Sequence, residues 1–177
     1  MKIRPAVPAD TDELRALIDR SARELLASYY TQRQSQLALE SVLGLDSQLI
    51  EDGSFFTAVD GHAILGCGGW SRRKTPFGSD HGAYRDSALL DPTTDAARIR
   101  AFFVEPAHAR RGIGTAILIA CERAAATEGF QKLELVATLG GVPLYERRGY
   151  VACEHFAVDL PDGERFAVIR MRKGASA

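Results

Sequence analysis

The order of hydrophobic and polar residues along the chain switches several times between the period of a helix and that of a strand. Apolar residues recur every three or four positions from Leu14 to Leu25, which predicts a helix with one buried face. Thr31 and Gln34 have the spacing of a capping box, and an alanine-rich stretch follows Gly112. Further helices are therefore expected to begin at Thr31, at Gly112 and near Val142, and to end near Gly44, at Gly129 and at Arg148.

Runs of alternating or continuous apolar residues separate these helices and predict strands. Phe55–Val59 and Ala63–Trp70 flank Asp60-Gly61, a dipeptide typical of a tight hairpin. Residues 71–95 are polar and rich in Pro and Gly, which indicates a long loop of a functional or mobile kind. The tail 173–177 is expected to be loose. The remaining strands are expected at 2–6, 98–104, 132–137, 150–158 and 165–171.

Composition favours one mixed α/β (α+β) domain that spans residues 1–177. A chain of 177 residues is long enough for one sizeable core. A net charge of −1 and a pI of about 6.4 argue against general binding to nucleic acid or to a membrane surface. No apolar run approaches a membrane span, and the N-terminus does not resemble a signal peptide. The three cysteines and four histidines show no metal spacing. We expect a cytoplasmic protein without a metal.

A basic loop with two glycines connects the strand ending at Val104 to the alanine-rich helix. The N-terminus of a helix leaves about four backbone N–H groups unpaired and carries a partial positive charge. Gly112 and Gly114 have no Cβ, so an anion can approach these groups, and Arg110 and Arg111 add positive charge. The alternative is a helix that merely begins with glycine beside two solvated arginines. We prefer a phosphate cradle, and the chain contains no P-loop motif that would compete with it.

The segment from Val104 to Gly114 resembles the pyrophosphate-binding motif of the GNAT superfamily of acyl-CoA-dependent N-acyltransferases, written Arg/Gln-x-x-Gly-x-Gly/Ala. Gly112 and Gly114 match its fourth and sixth positions, whereas Ala109 stands where the family usually has Arg or Gln. Arg110 or Arg111 is expected to compensate. The segment 143–150 is similar to the family's LYE-x-x-GF sequence, and the first strand and helix fit as well.

The resemblance implies acetyl-CoA as co-substrate and a mostly antiparallel central sheet whose strands splay around the acyl-CoA site, with flanking helices. It also implies that backbone groups of the splayed strand contact the pantetheine and the thioester oxygen. The implied acetyl-CoA-binding residues are Phe102, Phe103, Val104, Arg110, Arg111, Gly112, Ile113, Gly114 and Thr115.

Tyr145 lies where the resembling family commonly has a general acid near the thioester sulfur. A phenol with a pKa of ~10 stays protonated at neutral pH, as a proton donor must. The alternative is that its ring only packs between the short helix and the sheet. The family often has an Asn seven residues earlier, and Thr138 occupies that position. Some members use a Glu on the strand before the cradle, but that strand begins with Arg98, so the general base stays unassigned.

Two arginines on the same predicted strand are candidates for recognising the acceptor. Arg98 and Arg100 are two residues apart, so a regular strand directs both to one face. They could bind an anionic group of the acceptor. We prefer the alternative in which they form salt bridges with acidic residues of the long loop, namely Asp86, Asp91 or Asp95. Trp70 and Tyr29 could line the acceptor pocket, though apolar packing explains each of them equally well.

Together these features predict an N-acetyltransferase that moves an acetyl group from acetyl-CoA to a primary amine of a small molecule. Two alternatives stay open: a non-catalytic acyl-CoA-binding module, and an enzyme that modifies an amine of a protein or of tRNA. The near-neutral charge counts against tRNA. The sequence does not decide the acceptor, the acyl-chain preference or the oligomeric state, for which a homodimer is one option.

Overall fold

The computed structural model describes residues 1–174 and arranges their strands in one seven-stranded sheet. The strand order is β1-β2-β3-β4-β5-β7-β6, and every neighbouring pair is antiparallel except β4 and β5, which are parallel. This confirms the expected mixed α/β fold with a mostly antiparallel sheet. The strands are β1 (Lys2–Pro5), β2 (Phe55–Asp60), β3 (Ala63–Ser71), β4 (Ala97–Val104), β5 (Lys132–Thr138), β6 (Val151–Asp159) and β7 (Arg165–Gly174).

Helices cover both faces of the sheet, so that two apolar layers form on its two sides. One layer contains α4 and Tyr145 of α5 packed on β3, β4, β5 and β7. The layer on the opposite side consists of two apolar clusters, which contain the buried faces of α1 and α2. The helices are α1 (Thr11–Leu25), α2 (Gln32–Ser41), α3 (Ser47–Glu51), α4 (Ile113–Thr127) and α5 (Val142–Arg147).

The sheet opens between its two parallel strands. Pairing of β4 with β5 ends at Ile99 and Leu135, so the second halves of both strands separate. Ala101 has a positive φ of 55°, and the register with β3 shifts beside it, as in a β-bulge. The hydroxyl of Tyr30 accepts a hydrogen bond of 2.8 Å from the amide of Leu139, directly after β5, and donates one of 2.7 Å to the carbonyl of Ala167. These bonds attach Tyr30 to the β5–β7 pair next to the opening.

The structure confirms some of the expected elements and differs from others. The turn between β2 and β3 is a two-residue hairpin, as predicted, because Asp60 pairs with Ala63. The sequence did not predict α3, because five residues are too few to show a helical period. The expectation of a loose tail is wrong for Lys173, which lies in β7 and forms an ion pair of 2.9 Å with Glu122. Residues 175–177 of that tail lie outside the described residues.

The long segment between β3 and β4 has no helix, but it folds back on itself and attaches to α3. Arg73 and Leu89 form an isolated bridge between its two arms. The carboxylate of Asp80 accepts hydrogen bonds of 2.8 and 2.9 Å from the amide and hydroxyl of Ser47, the first residue of α3. The segment is therefore fixed beside the open part of the sheet.

Candidate active site

The N-terminus of α4 forms an open cradle of backbone N–H groups. The first helical bond runs from the amide of Ala116 to the carbonyl of Gly112, so the amides of residues 113–115 have no partner within the helix. Gly112 caps the helix with φ of 81°, and Arg110 before it has φ of 64°. A Cβ built on Gly112 would have no atom within 4 Å. The space in front of the cradle is therefore free for an anion.

The second glycine of the motif serves the packing between two helices. A Cβ on Gly114 would lie 3.1 Å from Cδ2 of Leu144 in α5. A residue with a Cβ at this position would require the side chain of Leu144 to shift. Because Tyr145 follows Leu144, this close approach also sets the position of the candidate general acid relative to the cradle.

The open half of β4 directs some of its backbone amides away from β3. The amide of Glu105 donates to the carbonyl of Leu65 on β3 at 2.9 Å, so the alternation of the strand turns the amide of Phe103 toward β3 too. The amides of Phe102 and Val104 face the gap. That of Val104 donates to the hydroxyl of Ser21 in α1 at 3.2 Å.

The gap continues into a cleft of about 710 Å³. It reaches from the cradle through the sheet to the layer beneath α1 and α2. Most of the expected acetyl-CoA-binding residues line it, while Arg111 is exposed beside it. The expected residues in the lining are Phe102, Phe103, Val104, Arg110, Gly112, Ile113, Gly114 and Thr115.

Tyr145 lines the same cleft and is only 7% exposed. Its ring meets those of Phe102 and Tyr150 edge-on, with centroids 6.1 and 5.8 Å away. A Cβ on Gly141 would lie 3.2 Å from the ring, so that glycine allows the close contact. Burial, and secondarily the nearby thiol of Cys121, raises the pKa of Tyr145 above its ordinary value. The phenol is thus protonated at neutral pH, as a proton donor requires.

Arg98 is part of an ion-pair network on the sheet and does not line the cleft. It pairs with Glu134 on β5, and the same carboxylate accepts a hydrogen bond of 2.6 Å from Arg172 on β7. The expectation of an ion pair with an acidic residue of the long loop (Asp86, Asp91 or Asp95) is therefore wrong for Arg98.

Arg100 lines the cleft, but its guanidinium is buried and paired. It forms an ion pair with Asp46, just before α3, and donates a hydrogen bond of 2.9 Å to the carbonyl of Gly78. Arg85 also pairs with Asp46, at 3.2 Å. Asp86, Asp91 and Asp95 are wrong as partners here too. The preferred type of interaction, a salt bridge, is the one that both arginines make.

The two aromatic candidates for the acceptor pocket lie in different places. Tyr29 is 42% exposed and lines the cleft, with its ring against Gly140. Trp70 is wrong as a lining residue, because it is buried and packs edge-on against Phe130 at 6.0 Å. It borders a smaller cavity of about 250 Å³ next to Glu128, at the opposite end of α4 from the cradle. The helix has 15 residues, so roughly 22 Å separates the two ends.

Sequence reasoning missed the side of the cleft that faces α1 and α2. Ser21 and Leu25 of α1 line it, as do Phe166 and Val168 of β7. The apolar face of α1 was visible as a period in the sequence. Nothing local to the sequence showed that part of this face borders a cleft.

Residues 1–174 contain neither a metal-binding cluster nor a membrane-spanning helix. No cluster of three or more His, Cys, Asp or Glu side chains there has the geometry to hold a metal ion. No helix in this part of the chain has the length and apolar character needed to span a membrane.

Comparison with known proteins agrees with this geometry. A family model described as the acetyltransferase (GNAT) family matches residues 19–150. A GCN5-related N-acetyltransferase from Rhodopseudomonas palustris superposes with a TM-score of 0.72 at 23% identity, covering 98% of this chain and 94% of the other. Among curated proteins, no sequence matches the chain.

Two similar structures were solved with a form of coenzyme A. The PaiA N-acetyltransferase from Thermoplasma acidophilum, in complex with coenzyme A, has a TM-score of 0.66 at 13% identity and covers 98% of each chain. The yncA protein from Salmonella typhimurium, with its cofactor acetyl-CoA, has a TM-score of 0.66 at 15% identity and covers 100% of this chain and 95% of the other. At such identities these likenesses establish the fold.

Proposed function

Because the chain belongs to the GNAT family of acetyltransferases, we propose that it transfers an acetyl group from acetyl-CoA directly to a primary amine of a small molecule. One observation carries the proposal. The unpaired amides of the α4 cradle, the gap-facing amides of β4 and the hydroxyl-bearing ring of Tyr145 all border one continuous cleft. These are the groups that a phosphate, a thioester oxygen and a leaving thiolate need.

The residues present fit acetyl-CoA. Its pyrophosphate would bind to the amides of residues 113–115, in the open space beside Gly112, with Arg110 and Arg111 supplying positive charge. The pantetheine would lie in the gap beside β4, and the thioester oxygen would accept a hydrogen bond from the amide of Phe102, since the amide of Val104 already donates to Ser21. When bound, acetyl-CoA supplies the activated acetyl group.

The proposed reaction needs no covalent enzyme intermediate. The amine nitrogen attacks the thioester carbonyl carbon, and the gap-facing amide of Phe102 stabilises the negative charge that develops on the oxygen. The carbon–sulfur bond then breaks, and Tyr145 donates its proton to the departing thiolate. The proton that the amine loses passes to solvent, from which Tyr145 is reprotonated.

The proposal also includes the domain organisation and the cellular location of the enzyme. We treat residues 1–177 as one catalytic domain and place it in the cytoplasm, where the free thiols of Cys67, Cys121 and Cys153 stay reduced.

The test combines binding with turnover. Calorimetry measures the binding of acetyl-CoA to the purified protein, and release of free coenzyme A thiol is followed across simple amines, amino acids, polyamines, aminoglycosides and peptides. Binding together with amine-dependent thiol release supports the proposal. Binding without release from any amine would identify a non-catalytic acyl-CoA-binding module, and preference for peptides would indicate a protein acceptor.

A further inference from the structure

We propose that the acceptor is a primary amine on an apolar body and that it enters the cleft uncharged, as the free base. This inference rests on the proposed acetyltransferase function and specifies its substrate class. It comes from the chemistry of the cleft on the α1 side of the opened sheet, away from the α4 cradle.

That side of the cleft is lined almost entirely by hydrocarbon and aromatic side chains. They come from α1, from the segment after α2, from the long loop before β4, and from β5, β6 and β7. Tyr29 at the mouth, Thr138 at the end of β5 and Ser21 deeper inside are uncharged polar side chains of the lining, and the hydroxyl of Ser21 accepts a hydrogen bond from the amide of Val104. The apolar lining residues are Ala22, Leu25, Leu26, Val42, Leu43, Phe77, Phe103, Val136, Val158, Phe166 and Val168.

No carboxylate and no imidazole belongs to the cleft lining within residues 1–174. The charged side chains of the lining are Arg110, Arg147 and Arg100, the last paired with Asp46, and none of them attracts a cation. Asp46 lies behind Arg100, where its fully buried carboxylate is already paired with Arg100 and Arg85. An ammonium group would therefore lose its hydration without gaining a counter-ion.

Desolvation favours the neutral form of an amine over its ammonium form. An alkylamine with a pKa of ~10.4 is neutral in only about one molecule in 2,500 at pH 7, and below the pKa this fraction rises about tenfold for each unit of increase in pH. A cleft that admits only the free base performs the selection for which a general base would otherwise be needed. This accounts for the absence of a carboxylate or imidazole that could act as general base among the described lining residues.

The same lining disfavours acceptors with a second charge. A polyamine or an aminoglycoside keeps further ammonium groups at neutral pH, and these would have to enter the apolar region or remain outside it. The positive charge of Arg100 is neutralised by Asp46. A terminal carboxylate on the acceptor therefore gains little electrostatic attraction from Arg100.

Three amines of equal chain length separate these classes: hexylamine, 1,6-diaminohexane and 6-aminohexanoate. Binding to the protein saturated with coenzyme A is measured by calorimetry, and thiol release from acetyl-CoA is measured in parallel. We expect hexylamine to bind at least tenfold more tightly than either charged analogue at pH 7.5. Its dissociation constant should fall about tenfold per pH unit between pH 7 and 9, in step with the free-base fraction.

A variant pair tests the role of the lining itself. Leu25 is 36% exposed at the end of α1, so its replacement leaves the core intact. Leu25→Glu introduces a carboxylate into the cleft, and Leu25→Gln is its uncharged control of the same shape. The Glu variant, but not the Gln variant, should lower the ratio of the dissociation constants of diaminohexane and hexylamine at least threefold.

The binding measurements test this inference separately from the proposed acetyltransferase function. Equal or tighter binding of diaminohexane would show that aromatic faces such as those of Tyr29 and Phe77 hold the cation, and tighter binding of 6-aminohexanoate would show that Arg100 recognises an anion. Either result, a pH-independent dissociation constant, or no binding of any of the three overturns the inference. Thiol release alone decides whether the protein is an acetyltransferase.

Discussion

The two halves of the cleft are built from different parts of the polypeptide. The half at α4 consists mainly of backbone: the amides of residues 113–115, the gap-facing amides of β4, and Gly112 with a positive φ. The half beneath α1 consists of side chains that come from positions as far apart as Ala22 and Val168. A backbone-built site keeps its chemistry when individual side chains differ. A site built from side chains changes its specificity with each of them.

Because of this difference, we expect the cradle to bind an anion although Ala109 stands where the resembling family usually has Arg or Gln. The amides of the helix N-terminus do not depend on that side chain, and Arg110 is exposed beside them. On the other half, a single new charge is expected to alter which acceptor binds. The following predictions probe each half, from the largest effect to the smallest.

The largest effect is expected on stability, at the buried ion pair of Arg100 and Asp46 that borders the half of the cleft built from side chains. Arg100→Ala leaves the fully buried carboxylate of Asp46 with only the more exposed Arg85, and breaking such a pair costs about 3–5 kcal/mol of unfolding free energy. Denaturant unfolding measures this loss. Acetyl-CoA and acceptor KM values should change little and equally in the folded fraction.

An exposed ion pair is the matched control for Arg100. Arg33 pairs with Asp162 at 2.8 Å, but both side chains are about 60% exposed. Arg33→Ala should therefore change the unfolding free energy by less than about 1 kcal/mol. If Arg100→Ala instead raised the acceptor KM selectively and left stability unchanged, the residue would be recognising an anionic acceptor.

The next effect is expected where the two halves meet. Tyr145→Phe keeps the ring contacts with Phe102 and Tyr150 but removes the proton donor. General acid catalysis contributes about 10²–10⁴ in rate, and a thiolate is already a fair leaving group, so we expect kcat to fall about 10²-fold at pH 7. The affinity for acetyl-CoA, measured by calorimetry, should not change.

The pH dependence sharpens the test of Tyr145. A thiol with a pKa of ~8.5 leaves increasingly as a stable thiolate when the pH exceeds that value, so the deficit of the Phe variant should shrink above pH ~8.5. Burial raises the pKa of Tyr145, so the wild-type donor stays protonated over this range. A Phe variant with unchanged kcat at pH 7 would show that the ring only packs.

The smallest of the three effects is expected in the backbone half. Gly112→Asp places a carboxylate where the pyrophosphate is expected to bind, and the affinity for acetyl-CoA should fall at least tenfold, or ~1.4 kcal/mol. Gly112→Asn is the control, because Asn has the same size and also tolerates a positive φ. Its affinity should remain well above that of the Asp variant. Equal affinity of wild type and Asp variant by calorimetry would contradict the cradle.

The elements with strong local signals were predicted correctly. The hairpin between β2 and β3, the capping box at Thr31 and the helix after Gly112 depend on residues that are neighbours in sequence. The short helix α3 and the extension of β7 to Gly174 were not predicted, because tertiary contacts stabilise them. The partners of Arg98 and Arg100 were also wrong, since Glu134 and Asp46 approach them only through the folded sheet and α3.

The sequence by itself determined the order of most helices and strands, the prediction of an anion site at the N-terminus of α4 and the resemblance to an acyltransferase family. These properties depend on periodicity, on glycine and on backbone groups, all of which act over a few residues. Only the tertiary structure decided that Trp70 lies in the core, that both arginines are paired, and that an apolar wall, without a carboxylate among the described lining residues, borders the cleft. Those properties depend on which distant side chains pack together, and no local pattern specifies that.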